Sequence, residues 1–315
     1  MKIYYPRDFP LHLKNPVATL GNFDGVHVGH QALIRETLAW ADSLGGEPLV
    51  ITFEPHPRKV LQPAVPLRLL TPFEEKLEFF EELGLSSVLI IPFDREVADL
   101  PAEEFVEEYL VYGLRLSGLV VGFNYRFGRG RSGDSDLLRQ MGERYGFQVR
   151  VIPPQVLDGQ TVSSSLIRDF LLEGKVRRGG IFLGRPYTLR GRVIRGEARG
   201  HRLGFPTANL EIPSEKLLPA RGVYAVKVFF RGEGKPGLFP GGWPGVMNIG
   251  EKPTFGRHAL SVEVHIFDFE GDLYGQLLEV EVLTFLRPEK KFPSPTALIQ
   301  QIAKDCMQAR KLLEA

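Results

Sequence analysis

Gly21-Asn22-Phe23-Asp24-Gly25-Val26-His27-Val28-Gly29-His30 is the stretch on which the reading of this chain turns. Before it, Val17 to Leu20 is a short apolar run closed by Gly21, the pattern of a buried parallel strand. After it, Gln31 to Leu44 carries helical spacing through Leu33, Ile34, Leu38 and Ala41. The ten residues are therefore expected to form a strand-to-helix turn. Such a turn leaves the first N–H groups of the helix without intrahelical partners and adds the positive end of its dipole, which favours an anion, typically a phosphate. Two imidazoles add donors, and glycines at 21, 25 and 29 allow close backbone approach or dihedrals closed to other residues. H-x-x-H alone also reads as a glycine-rich turn with two half-exposed histidines; the strand, the glycines and the helix together favour the anion site.

His27-Val28-Gly29-His30 resembles the H-x-G-H signature of nucleotidyltransferases, and the whole stretch is similar to the G-N-F-D-G-V-H-x-G-H of bacterial bifunctional riboflavin kinase/FAD synthetases. That resemblance implies catalytic roles for His27 and His30, and nucleotide contacts at Gly21, Phe23, Asp24 and Gly29.

The 315 residues suggest two domains. A hydrophobic share of 43% and a charged share of 24% are those of an ordinary globular protein and exclude a disordered or collagen-like chain. A formal net charge of +1 gives no bulk attraction to nucleic acid or membrane, so local clusters must carry any anion binding. Cys306 is the only cysteine, which excludes an internal disulfide and a cysteine-based metal site. Met1 to Pro10 lacks a signal-peptide core, and no apolar run approaches the roughly 20 residues of a membrane helix, so a cytoplasmic protein is expected. The oligomeric state is left open.

From Val17 to Ile152 apolar strands alternate with helical patterns: Leu49 to Phe53, Val88 to Ile91, Leu119 to Val121 and Val149 to Ile152 follow the first strand. This predicts a parallel α/β sheet of Rossmann-like type. One helix is signed by Thr71 as N-cap, Pro72 at N1 and Glu74 as capping-box acid, with Gly84 after its end. Ligands of such sheets bind beyond the carboxyl ends of strands. After the second strand, Phe53, Pro55, His56 and Pro57 either wall a planar ring or form a stiff connection with an exposed His56. The resemblance implies flavin binding. The loop Gly122 to Gly133 contains a literal G-x-G-x-x-G at 128, 130 and 133, but too far past its strand and not in the first βαβ unit, so a dinucleotide fingerprint is not favoured. Asn124 and Arg126 lie nearer the strand end, and N-Y-R-F-G resembles the flavin-binding motif of the family. Arg126, Arg129 and Arg131 also read as a solvated basic loop.

Ser163, Ser164 and Ser165 open a helical run with Arg168 on its first turns. They read as helix caps or as a polyphosphate cradle, and they resemble the family's S-S-T-x-I-R, which implies nucleotide contacts from the serines and a catalytic Arg168. Glu173 to Gly184, rich in charge and glycine, reads as a linker. The expected domains are 1–182, the FMN adenylyltransferase, and 183–315, the riboflavin kinase, and a chain starting near Ile181 is expected to keep the kinase activity.

Beyond the linker, strand-like segments follow one another: Thr188 to Ile194, Val223 to Phe230, Gly245 to Ile249, Leu260 to Phe267 and Leu278 to Phe285. Alternation such as Val262/Val264/Ile266 against Ser261/Glu263/His265 predicts an antiparallel β-barrel. A terminal helix has Ser294 as N-cap, Pro295 at N1 and an apolar face through Leu298, Ile302, Cys306 and Ala309. Gly200 to Asn209 reads as a turn between strands. Its Gly204-Phe205-Pro206-Thr207-Ala208-Asn209 resembles the metal and nucleotide motif of riboflavin kinases, which implies nucleotide contacts at Gly204, Thr207 and Asn209, with Thr207 and Asn209 also holding Mg2+ with ATP. Asn248 to Phe255 and Asp268 to Gly275 also match that family, implying flavin contacts at Asn248 and Thr254 and a catalytic base at Glu263. By alternation alone, Glu263 reads as a solvent-facing strand residue. Gly234 to Pro244 reads as a lengthened hairpin loop.

The resemblance implies a bifunctional enzyme with riboflavin, FMN, FAD and ATP as substrates or products, and no nucleic-acid or membrane partner. Three rivals stand beside it: a nucleotidyltransferase for another acceptor, a flavin binder without turnover, and an RNA-binding protein. H-x-G-H also occurs in class I aminoacyl-tRNA synthetases, but this chain has no K-M-S-K-S loop.

Overall fold

The computed structural model describes residues 1–196, 204–231, 241–254 and 257–314, with the side chains of 252–254 and 257–259 outside the description. The chain forms two compact units, Met1–Ser164 and Ser165–Ala315.

In the first unit β1 (Lys2–Tyr4), β2 (Val17–Leu20), β3 (Pro48–Glu54), β4 (Ser87–Pro92), β5 (Gly118–Gly122) and β6 (Gln148–Ile152) form one sheet in the order β1-β4-β3-β2-β5-β6, every pairing parallel. The period-2 alternation of side chains divides the strands between two cores. Val17, Val50, Val88 and Val120 pack with Ile34, Trp40 and Ala41 of α1 (Val28–Ser43) on one face. Ala18, Leu20, Leu49, Ile51, Leu89 and Leu119 pack with Phe105 and Leu110 on the other. Burial on both faces explains why the strands read as unbroken apolar runs. The edge strand β1 escapes such a reading because Lys2 and Ile3 are exposed. The chain runs outward from β2 through β3 to β4 and then returns to β5 on the other side of β2, so the Gly21–His30 turn leaves the sheet at its topological switch point.

The expected cap at Thr71 is corrected. Helix α3 (Phe73–Glu82) has Pro72 as its N-cap residue with no side-chain cap, and the Thr71 hydroxyl instead accepts the N–H of Gly25 at 2.8 Å. A tertiary partner has claimed an oxygen that local spacing assigned to the helix.

In the second unit the stretch read as a linker is also corrected. It contains helix α8 (Val176–Leu183), after α7 (Ser164–Leu172). Val176, Phe182 and Leu183 are buried, and burial of that face outweighs the two glycines in the helix. The barrel strands are β9 (Tyr187–Ile194), β10 (Ala208–Glu211), β11 (Gly222–Arg231), β12 (Trp243–Thr254), β13 (Arg257–Ile266) and β14 (Leu277–Arg287). They close in the order β10-β13-β12-β11-β14-β9, all antiparallel, with β9 pairing back to β10. Strand β10 lies where the sequence was read as a turn. Ala208, Asn209 and Leu210 are buried, and pairing on both sides makes a strand of a segment with weak local preference. The terminal helix α9 (Pro295–Leu313) is capped by Ser294, whose hydroxyl accepts the N–H of Ala297 at 3.2 Å; Cys306 and Ala309 are buried against Val223, Ala225 and Val246. Of Gly234 to Pro244, residues 234–240 lie outside the described residues, and Trp243 and Pro244 already belong to β12.

Candidate active sites

Between Gly21 and α1 the backbone takes left-handed conformations at Phe23 (φ 53°), Gly25 (92°) and Val26 (40°). For a β-branched residue such as Val26 this conformation persists only where its surroundings enforce it. Here they do so from three directions. Asp24 Oδ1 accepts the N–H groups of Leu70 and Thr71 at 2.9 and 3.1 Å, Thr71 Oγ1 accepts that of Gly25, and Gln31 Nε2 donates to the Val26 carbonyl at 3.0 Å. Ser164 Oγ donates to the carbonyl of Asp24 at 2.8 Å, tying the serine motif to the same turn.

The turn places His27 at the N-cap of α1 and His30 in its first turn. His27 Nδ1 accepts the N–H of His30 at 3.3 Å, so in the neutral ring the proton sits on Nε2. The two imidazoles stack with centroids 3.6 Å apart and planes 14° apart, and Phe23 meets His30 edge-on at 5.1 Å. A Cβ on Gly29 would lie 3.2 Å from the His27 ring, so a glycine there admits the imidazole. Phe23 is fully buried, so any ligand contact it makes passes through its backbone. Asp24 is 3% exposed with its carboxylate on two amides, which makes it a holder of the turn.

The neighbouring loops also leave the carboxyl ends of strands. After β3, Phe53 packs against Phe93 and Phe105 and keeps only 8% of its surface exposed. His56 is buried, contrary to the exposed alternative, and its Nδ1 accepts the N–H of Arg58 at 3.1 Å as the cap of α2 (Pro57–Leu61). Pro55 is exposed and Pro57 half-buried. After β5, Asn124 is exposed and Arg126 pairs with Asp134, the N-cap of α6 (Ser135–Tyr145). The N–H of Leu137 and the Arg126 guanidinium hold the Asp134 carboxyl below its usual range. Gly128 to Gly133 fold into a short 3-10 turn closed by a Phe127–Gly133 bridge and open no βαβ unit. Ser163 and Ser164 end the first unit, while Ser165 and Arg168 continue along α7 in the second.

Lys76 was missed by sequence reading. It is 5% exposed, and its ammonium donates to Thr52 Oγ1 at 3.2 Å and to the carbonyl of Asn22 at 3.4 Å, beneath the turn. A lysine in a charged helical stretch gives no sign of such burial.

In the barrel, register brings Asn209, Glu263 and Asn248 into one row across β10, β13 and β12, continued by Val223 and Arg287. Glu263 faces outward, as alternation requires, but it is not a bare solvent-facing residue. Helix α9 and the segment Pro288 to Phe292 roof that face, leaving a cavity of about 440 Å³ lined by Thr207, Asn248, Glu263, His265, Arg287, Phe292 and Ile302 among others. Arg287 is fixed there by Asp305 of α9 through bonds of 2.7 and 3.0 Å. A second cavity of about 550 Å³ is lined by Val193, Pro206, Thr207, Phe269, Asp272 and Tyr274 among others, so Thr207 borders both. Asn209 is 8% exposed, Gly204 is exposed, and the Thr254 side chain lies outside the described residues. The Thr207 hydroxyl and the Asn209 amide oxygen are hard donors suited to Mg2+. Among the described residues no group of three His, Cys, Asp or Glu side chains is placed to hold a metal, so two neutral oxygens fit an ion that arrives with ATP phosphates as its other ligands.

A stacked H-x-G-H turn at the switch point of a parallel sheet, followed by a closed barrel entered through G-F-P-T-A-N, defines a nucleotidyltransferase joined to a flavokinase barrel. The FAD synthetase family model matches residues 10–166, and the riboflavin kinase model matches residues 183–313. A bifunctional riboflavin kinase/FMN adenylyltransferase of Listeria monocytogenes is 38% identical over 299 residues, 94% of this chain and 92% of that protein. One from Escherichia coli K12 is 38% identical over 295 residues with the same coverage. The chain belongs to the bifunctional riboflavin kinase/FMN adenylyltransferase family. A crystal structure from Streptococcus pneumoniae, solved under the name macrolide-efflux protein, matches 98% of both chains at 30% identity with a TM-score of 0.88. That likeness concerns the fold, and among the described residues here no helix is long and apolar enough to cross a membrane.

Proposed function

We propose that the two reactions of this family, phosphorylation of riboflavin to FMN and adenylylation of FMN to FAD, are divided between the barrel and the parallel-sheet unit. The observation that carries the reading is that Thr207 borders two cavities while Glu263 lines one of them, which supports separate compartments for riboflavin and ATP on either side of Thr207.

For the kinase step, riboflavin occupies the Glu263 cavity and ATP the other. The Glu263 carboxylate takes the proton of the 5′-hydroxyl as its oxygen attacks the γ-phosphorus, and ADP departs. Asn248, in register with Glu263, holds the flavin, and Gly204, Thr207 and Asn209 hold the nucleotide. Thr207 and Asn209 would hold magnesium, which would neutralise charge on the phosphates when bound.

For the adenylyl step, an FMN phosphate oxygen attacks the α-phosphorus of ATP, and pyrophosphate leaves. The nucleophile is already an anion, so the site needs donors more than a base. His27, His30 and the α1 N-terminus stabilise the phosphoryl oxygens, with Gly21, Phe23 and Gly29 contributing backbone. Asp24 holds the turn. Ser163 and Ser164 follow the same turn, Ser164 being tied to it through the Asp24 carbonyl, and nucleotide roles for Ser165 and Arg168 rest on motif resemblance alone. FMN lies beyond β3 and β5, near Pro55, Pro57, Asn124 and Arg126, with His56 and Phe53 behind. The enzyme works on ATP in the cytoplasm, and its net charge of +1 supports the absence of a nucleic-acid partner.

Paired variants test the division. His30→Ala is expected to slow FAD formation from FMN by about 100- to 1,000-fold, as for loss of one preorganised donor, and to leave FMN formation intact. Glu263→Gln is expected to slow FMN formation by about 100- to 10,000-fold and to leave adenylylation of supplied FMN intact. Equal loss of both activities in either folded variant, assayed by chromatography of the flavins, removes the division.

A further inference from the structure

Outside the residues given roles above, one titratable side chain lines the riboflavin cavity on the same strand face as Glu263. His265 follows it by two residues on β13, and the two side chains share a face by strand period. The His265 Nδ1 lies 2.8 Å from the carbonyl oxygen of Pro206. A carbonyl only accepts, so Nδ1 is the protonated nitrogen and donates. The imidazole also meets Phe205 edge-on at 5.6 Å and Phe267 at 5.7 Å. Both grips fall on the two residues that lead into Thr207. That segment follows the left-handed Gly204 and precedes the first paired residue of β10, so it has no ladder hydrogen bonds of its own.

We infer that His265 is a positioning residue for the kinase step: its Nδ1–H fixes the Phe205–Pro206 backbone so that the Thr207 hydroxyl faces the junction of the two cavities opposite Glu263. The inference rests on the kinase reading of the barrel. His265 touches neither reacting atom in this account and acts through Thr207, so its loss is expected to appear first in the handling of Mg-ATP.

Three variants separate the donor from the ring. The amide nitrogen of asparagine reaches the place of Nδ1 and that of glutamine the place of Nε2, while phenylalanine keeps the ring and has no donor. His265→Asn is expected to stay within about threefold of wild type in riboflavin phosphorylation. His265→Gln and His265→Phe are expected to raise the KM for Mg-ATP by about tenfold, as for loss of one hydrogen bond to a positioned carbonyl, with the KM for riboflavin changed less. In a Trp40→Phe background, Trp243 fluorescence reports whether the barrel is folded in each variant, and the Asn–Gln contrast stands even if the phenylalanine variant does not fold. Equal behaviour of the Asn and Gln variants, or a wild-type KM for Mg-ATP in His265→Gln, overturns the inference while leaving the kinase reading in place. Wild-type protein that makes no FMN from riboflavin and Mg-ATP overturns both.

Discussion

Val26 at φ 40° shows how a single residue's conformation depends on groups far away in the chain. The turn that presents His27 and His30 is held by Thr71 and by amides at 70 and 71, nearly fifty positions downstream. Thr71→Val keeps the shape of the side chain but removes the hydroxyl that accepts the buried Gly25 N–H, a hydrogen bond worth about 0.5 to 1.5 kcal/mol. The turn is already strained, so the expected outcome is a lower melting temperature of the first unit together with a raised KM for ATP in FAD formation. FMN formation by the same protein should be unchanged. Wild-type FAD kinetics in Thr71→Val would show that the turn holds its geometry without this bond. Lys76 belongs to the same scale: its aliphatic stem is buried and its ammonium is turned onto Asn22 and Thr52, a placement that no property of residue 76 alone foretells.

At the scale of elements, the barrel is stitched on its outer surface as well as packed within. Glu279 on β14 accepts from Arg190 on β9 at 2.7 Å and from Arg231 on β11 at 2.8 Å, so one carboxylate joins three strands. Burial pushes the Glu279 carboxyl up, but the bonds from Arg231 and Arg190 outweigh it and hold the group below its usual range. A carboxyl with a depressed folded value contributes stability that is present above its unfolded value, near pH 4.5, and is lost as the pH falls through the folded value. Glu279→Gln is therefore expected to destabilise the barrel at pH 7 by about 1 to 3 kcal/mol, and the gap from wild type should close on acidification below about pH 4. The chain has two tryptophans, Trp40 in the first unit and Trp243 in the barrel, so unfolding in a Trp40→Phe background reads the barrel alone. A gap that persists unchanged to pH 2 would mean that packing, not charge, carries the effect.

For the whole molecule, the two compact units divide at Ser164/Ser165, which assigns α7 and α8 to the barrel's unit. The physical ties are specific. Phe170 packs edge-on against Phe182 at 5.2 Å, and the N–H of Ala220 donates to the carbonyl of Leu171 at 2.9 Å. A chain starting near Ile181 cuts α8 and removes the buried Ile167, Phe170, Leu171 and Val176. A chain of Ser165–Ala315 is expected to fold and to make FMN from riboflavin, and one starting at Ile181 is expected to be measurably less stable, with losses on the order of several large-to-small core substitutions at about 2 to 5 kcal/mol each. Equal stability of the two fragments by denaturant titration would return the boundary to the glycine-rich stretch.

The sequence by itself determined the strand-to-helix turn at Gly21–His30, the parallel sheet, the antiparallel barrel and the capped terminal helix. Each rests on short-range signals: unbroken apolar runs, period-2 alternation, and a serine followed by proline at a helix start. It also carried both family signatures in contiguous residues. What the tertiary structure decided is where long-range partners override local preference. Thr71 serves Gly25 instead of its own helix, Ala208–Glu211 becomes a strand because β9 and β13 pair with it, and Val176–Leu183 is helical because its apolar face is covered. Glu263 is the clearest case. Alternation places it on the outside of the barrel, and only the packing of α9 over that face turns an exterior position into the wall of a cavity.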